Sequence, residues 1–391
     1  MKKIHIALLV GGILCAASLV LGGVALALTG FDFYRTVSTM TYQQKTAAYE
    51  PSLLDSIDIA AEDLKVTVSP SADGQVHLSY WESAVDTVSL DVENGVLRFR
   101  HSAQETWLDN FIRGFWSSFS RYRHVIEIQI PADWAGNLAV TNQNAAVEAS
   151  NFTALSSALF RSQNGAVTLA DIVCHGSLEA GTTNADLSLD RVTAGSTRIT
   201  DTNARIRLTD VHLGDTVLET DNGALLLHTV EVGSLTAKTK NAAVEAEALT
   251  GTGRLVLETT NATLTAIDVM TDGELSLQSK NGGLRATNCH SAALLADTTN
   301  GKIILTRCRA GRVQAGTSNA AVEFERLDSG DIALTSSNGG IKGSVLGREE
   351  DYIITASTTN GSCNLTNRVG DLPGRLYLQT TNASIHITFT E

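Results

Sequence analysis

Residues 255–287 read LVLETTNATLTAIDVMTDGELSLQSKNGGLRAT, which is one phrase written twice. Leu255 and Leu257 stand six and four residues before Asn261, and Leu275 and Leu277 stand six and four before Asn281. Leu264 and Leu284 follow three residues after each Asn. Positions six, four and two before the Asn lie on one face of an extended strand, because side chains alternate along it. Positions three and five after it share a face as well. The step between the two sets is odd, so a straight strand would turn the second set outward. A corner at the Asn re-aims it inward.

The phrase extends in both directions. An Asn followed by Gly or Ala recurs at Asn144, Asn164, Asn184, Asn203, Asn222, Asn241, Asn261, Asn281, Asn300, Asn319, Asn338, Asn360 and Asn382. The interval is 19 or 20 residues until the last two, which are 22. Ser or Thr usually stands two before, and Gly eight before, as at Gly176, Gly195, Gly214, Gly233, Gly253 and Gly273. The corner is expected to use a left-handed backbone, which Asn tolerates and Gly adopts freely. The Gly at eight before marks a second corner, with a third short side near eleven before. The fold class is therefore all-β: a β-solenoid, parallel β-helix-like, of about thirteen coils stacked ~4.8 Å apart. A β-sandwich of regular hairpins is the rival, since Asn-Gly is also a hairpin signal. It does not require one residue type in one slot over thirteen repeats. The frameworks of leucine-rich repeats and of nine-residue calcium-binding repeats are absent.

Composition agrees. Four prolines occur in 391 residues, and none falls between 132 and 372, so backbone N–H groups are wanted almost everywhere. The net charge of −13 excludes a nucleic-acid binder.

Residues 1–5 carry Lys2 and Lys3, and 6–28 form an uncharged run long enough to cross a ~30 Å hydrocarbon core. The lysines place the amino terminus in the cytoplasm and the bulk of the chain outside the cell membrane, as a single-pass protein. A signal-anchor is favoured over a cleaved signal peptide, for which Ala25-Leu26-Ala27 would be the site. Residues 29–50 read as a polar linker. Residues 51–131 read as a β-rich cap covering the first coil, with Asn94-Gly95 fitting the coil template. Residues 132–391 are the repeat domain, its last coils a distorted cap interrupted by Pro373.

Within the cap, residues 107–123 concentrate aromatics. Trp107, Phe111, Phe115 and Phe119 are spaced by four, with Trp116 beside them, and Arg113, Arg121 and Arg123 add positive charge. The segment reads as a helix or loop over the open end of the coil stack, or as a membrane or partner contact.

The apolar anchor, the entry region ending in Ile126 to Pro131, and the serial Thr-x-Asn-Gly/Ala coils resemble the bacterial putative-adhesin family, also called domain of unknown function 4097. The resemblance covers 51–391. It implies a membrane-anchored surface β-repeat protein associated with envelope stress or adhesion. The family carries no established active site, so no functional residue transfers.

Candidate chemistry is sparse. The Asn column reads as a structural ladder of amides. Asp171, Asp190 and Asp210 lie 13, 13 and 12 residues before the following Asn and are expected to stack on three consecutive coils. There they serve turn chemistry or hold calcium between them. Cys289 and Cys308 both sit eleven before an Asn, a slot shared with Val173, Val192, Val211, Val230 and Leu327. They read as buried free thiols, with a disulfide as the alternative in an oxidising compartment. No zinc spacing, Ser/His/Asp set or cofactor motif is found. The expected function is a non-catalytic surface adhesion, binding or envelope-sensing module acting on an envelope or surface ligand. A bactofilin-like scaffold, self-associating through the solenoid ends, is the alternative, and a carbohydrate-active enzyme the second alternative.

Overall fold

The computed structural model describes residues 20, 21, 24, 27, 42–83, 86–103 and 125–390. Its strands join one continuous sheet that winds as a parallel solenoid. Each turn has three sides. One is the strand before the Asn corner, such as Leu255–Glu258; one is the strand after it, such as Leu264–Ile267; the third is short and closes the triangle. Equivalent residues face each other in parallel register from turn to turn, as in Leu255↔Leu275 and Leu264↔Leu284. The sets predicted to point inward do so. Leu187, Leu189, Ile206, Leu208, Leu225, Val244, Leu264 and Ile303 are all buried in one unbroken core.

The corner is built differently from the sequence expectation. None of the thirteen corner asparagines has a positive φ. Left-handed residues fall seven positions later: Asn151, Asp171, Arg191, Asp210, Thr229, Ala248, Asp268, Asn288, Arg307 and Arg326, with φ between 50° and 64°. The reason lies two residues before the Asn. There Ser162, Thr182, Thr220, Ser279, Thr298 and Ser336 accept the backbone N–H three residues on at 2.9–3.3 Å. These hydroxyls close the corner as side-chain turns. The bend between the second and third sides has no such clamp and takes the left-handed residue instead. Its occupants include Asn and Asp, which bear that conformation at least cost.

The glycines eight before the Asn stand where turns stack closely rather than where φ is positive. A Cβ built on Gly214 would lie 1.8 Å from the carbonyl oxygen of Gly195 on the turn below.

Both ends depart from simple chain order. At the amino-terminal end, Ser56–Ala61 and Lys65–Pro70 form a true turn with Asp63 at its corner, so the repeat reaches back into 51–131. This turn lies between the one made by Asn137–Asn142 and Val147–Leu155 and the outer strands Val96–Ala103 and Val125–Ile130. Two antiparallel strands finish the end: Asp86–Glu93 against Val96–Ala103, and Val76–Glu82 against Val125–Ile130. Asn94-Gly95, with φ of 51° and 74°, is thus the turn of a hairpin and not a solenoid corner. Its strands are fixed by antiparallel pairing, which a coil template does not contain. Part of the expected linker is also a strand. Gln43–Tyr49 pairs antiparallel with Val76–Glu82, and Tyr49 packs on the core.

At the carboxyl-terminal end the last two turns are interchanged. The strand Gly374–Thr380 lies between Asp331–Ser336 and Tyr352–Thr358, and Ile385–Thr390 pairs with Ile341–Leu346. The chain steps out to build its terminal turn, then returns to fill the gap beneath it. This detour accounts for the two 22-residue intervals. The outermost edge is then covered. Ile354 and Arg368 exchange backbone hydrogen bonds at 3.0 and 2.9 Å. Asn367 accepts from the Ala356 amide at 2.7 Å, and the Asn364 side chain pairs with both backbone groups of Ile387.

Among the described residues no helix is long and apolar enough to cross a membrane. Most of 6–28 lies outside the described residues, as does the aromatic segment from Trp107 to Arg123 with Phe111, Phe115, Trp116 and Phe119.

Candidate functional site

The corner amides form one unbroken file. Each Asn Nδ2 donates to the Oδ1 of the turn below at 2.6–2.8 Å, from Asn164 on Asn144 to Asn338 on Asn319. The file then runs Asn382 on Asn338 and Asn360 on Asn382. At its foot Asn144 donates to Asp63 Oδ1 at 2.5 Å. Asp63 accepts, and it lacks the amide N–H group that each Asn of the file passes on. Behind the amides runs a buried file of hydroxyls. Ser162, Thr239, Thr298, Thr317 and Ser336 donate to the corner carbonyl of the neighbouring turn at 2.9–3.0 Å. Asp201 occupies this slot on one turn. It accepts three backbone N–H groups, and burial pushes its carboxyl up to about 6.

The aspartates do not form the expected file. Asp171 and Asp210 stand at the left-handed bend, one turn to either side of Arg191, whereas Asp190 is in register with Ala170 and Thr209. Arg191 grips Asp171 through two bonds, at 2.6 and 2.9 Å, and also contacts Asp190. An arginine therefore stands where the calcium reading puts a cation. Counting back from the following Asn misplaced these residues, because the extra residue of a 20-residue coil falls after the bend. The same error put Val173 in the cysteine slot. Counted forward, the buried column is Phe152, Ile172, Val192, Val211, Val230, Leu249, Val269, Cys289, Cys308 and Leu327. Cys289 and Cys308 are free thiols in this column, each directed at a backbone carbonyl two residues before it, at 3.5 and 3.6 Å. Their mutual hydrogen bond and burial push the Cys289 thiol up.

Outward side chains pair from turn to turn. On the face before the corner, Arg161–Glu179, Arg198–Glu219, Lys238–Glu258 and Arg254–Glu274 make ion pairs at 2.8–3.0 Å. Exposed pairs of this kind add little stability each, and they occupy the face. Beyond Glu274 the slots three and five before the corner carry no ion pair among the described residues, although Arg312 and Asp331 still pair at 3.6 Å in the slot seven before it. Asp297 faces Gly316 on the next turn, so its carboxylate has no partner of the kind the lower turns carry. Gly316, Ala333 and Thr335 leave a depression of ≈ 520 Å3, walled by Gln278, Leu295 and Asp297 on one side and by Tyr377 on the other. It continues toward the corner as a second hollow of ≈ 330 Å3, bounded by Ser318, Ser337 and Gln379. Sequence reasoning missed this feature. Its only signal is a drop in size at the outward slots three and five before the corner, which is visible once the register is known.

These features define a class: a capped, three-sided parallel β-solenoid with an external amide ladder and a polar surface depression. The Toastrack DUF4097 family matches residues 54–247 and 227–388, and the chain belongs to that family. No curated protein matches. Among solved structures, a putative cell adhesion protein from Clostridium sporogenes is 10% identical, with a TM-score of 0.27, over 52% of this chain and 100% of its own. A putative adhesin from Bacteroides fragilis is 12% identical, with a TM-score of 0.18, over 89% and 97%. A putative lipid binding protein from Parabacteroides distasonis is 10% identical, with a TM-score of 0.17, over 88% and 97%.

Proposed function

We propose that this chain is a non-catalytic surface-binding module, held in the bacterial cell membrane by residues 6–28, with the solenoid outside and its long faces meeting an envelope or surface ligand. The observation that carries this reading is the closure of both ends. A scaffold growing end to end needs a bare parallel turn at each end and a ladder that continues across the joint. The carboxyl-terminal edge is instead capped by residues 364–368. The amino-terminal end carries antiparallel strands, and the ladder begins at Asp63, which cannot donate to the free Oδ1 of Asn360 on another copy. What is left for contact is the sides.

Two measurements test the proposal. Sedimentation of the full chain in lipid nanodiscs should give a mass that does not grow with concentration; open-ended growth would favour the scaffold and overturn the reading. A Ser196→Cys chain, altered at an exposed position, should react with a membrane-impermeant maleimide on intact cells, above the wild-type background. Labelling only after lysis would contradict the location.

A further inference from the structure

The depression at Gly316 is the place where the rod's surface rule is broken. Elsewhere in the slots three and five before the corner, as at Arg161–Glu179, Arg198–Glu219 and Lys238–Glu258, a charged side chain meets its opposite one turn away. Here Asp297 lies over a glycine: a Cβ built on Gly316 would come within 3.3 Å of Asp297 Oδ2. Burial pushes the Asp297 carboxyl up, so it is partly desolvated with no donor to compensate. Across the gap, Tyr377 donates its hydroxyl to Gln379 Oε1 at 2.5 Å, which fixes the ring while leaving it 40% exposed. The space lies in the roughly 300–1,000 Å3 range of small-ligand sites.

The lining chooses among ligands. A peptide gains nothing by strand addition here, because every backbone group of this face is already spent on neighbouring turns. An anion would meet Asp297 and the net charge of the chain, and the cation of the lining, Arg312, is already engaged by Asp331 at 3.6 Å and Gln314 at 3.4 Å. An acyl chain would meet Ser318, Ser337 and Gln379 at one end. A fixed aromatic ring opposite a carboxylate without an ion-pair partner, with the Gln314 amide between them, suits a molecule with one apolar ring face and hydroxyls around its rim.

We propose that this depression binds a neutral oligosaccharide, one pyranose ring stacked on Tyr377 and hydroxyls of the chain donating to Asp297 and the flanking glutamines. The inference rests on the surface-module reading above.

The test uses the full chain in nanodiscs and isothermal titration with three probes: the β-1,4-linked tetrasaccharides of N-acetylglucosamine and of glucose, and the α-1,4-linked tetrasaccharide of glucose. Two variants accompany it. Gly316→Gln fills the floor with the residue that Gln278 and Gln379 already place in that slot, so the solenoid tolerates it. Tyr377→Ala removes the stacking face. Saturable binding of at least one probe, weakened tenfold or more in both variants with unchanged melting temperature, is the expected result. No saturable binding of any probe, or binding that Gly316→Gln leaves intact, overturns the proposal. The surface-module reading survives that failure if the chain still sediments as a closed rod and is still labelled from outside. It falls separately if those two measurements fail.

Discussion

Asn382 donates a 2.7 Å hydrogen bond to Asn338 although 44 residues separate them, while Asn360, between them in sequence, is stacked outside Asn382. The terminal turn is therefore laid down before the turn that supports it. An ordinary last coil would leave a parallel edge open to another chain. Here the edge is finished by a segment already tied to the rod at its other end.

Removal of that closure should be visible in solution. A chain ending at Leu346 exposes the edges of Asp331–Ser336 and Ile341–Leu346. Light scattering is expected to show concentration-dependent association for the truncated chain and none for the intact one. A truncated chain that stays monodisperse would show that the cap has no protective role.

The inward column predicts where charge is intolerable. Val244 is 0% exposed, and Val244→Asp places an unpaired carboxylate in the core at a cost of more than about 3 kcal/mol. Glu245→Lys, one residue on and facing out, should stay within about 0.5 kcal/mol. Chemical denaturation of both variants checks the contrast. Equal midpoints would mean the register is off by one.

Asp201 makes stability depend on pH. Its carboxyl is raised to about 6 in the fold, so the folded chain holds the proton more tightly than the unfolded chain. Stability contributed by the protonated form is present below about pH 4 and is lost as pH rises through about 6. Asp201→Thr restores the hydroxyl found in this slot on neighbouring turns. It should raise stability at pH 7.5 by on the order of 1–3 kcal/mol and change it little at pH 4. Thermal melts at the two pH values decide; a gain that is the same at both would remove Asp201 as the cause.

Ala248 holds the left-handed bend with φ of 54° and has no side chain suited to it. Ala248→Gly should relieve strain and raise stability by up to about 1 kcal/mol, opposite in sign to glycine substitution in ordinary strand. A fall in melting temperature would place the bend elsewhere.

The inward slots, the three sides and the amide file were legible because each is a local pattern repeated many times. Leu264, Val244 and Ile303 follow from distance to one Asn, and stacking multiplies that single rule. The bend was misread because Asn was credited with the left-handed conformation. The Ser and Thr hydroxyls, seen as a column two residues earlier, were the groups that made it unnecessary. The aspartates were misaligned because Asp171 belongs to a 20-residue coil whose spare residue falls after the bend, whereas the coil of Asp190 has 19. The end turns were illegible for another reason. Asn360 and Asn382 satisfy the template equally well in either order, and only edge pairing with Arg368 and Ile387 decides between them. Asp297 and Tyr377 matter through what stands opposite, Gly316 and Ala333, which no local window contains.

The claim on which the rest depends is that the returning strand is inserted beneath the terminal turn, closing the rod. Adjacent turns stand ~4.8 Å apart, within the reach of a disulfide, and alternate turns do not. In the full chain, the pair Asn338→Cys with Asn382→Cys is expected to oxidise to a single intramolecular bridge, identified by peptide mass mapping, and the pair Asn338→Cys with Asn360→Cys is expected to remain reduced. A bridge between positions 338 and 360, with none between 338 and 382, would contradict the account.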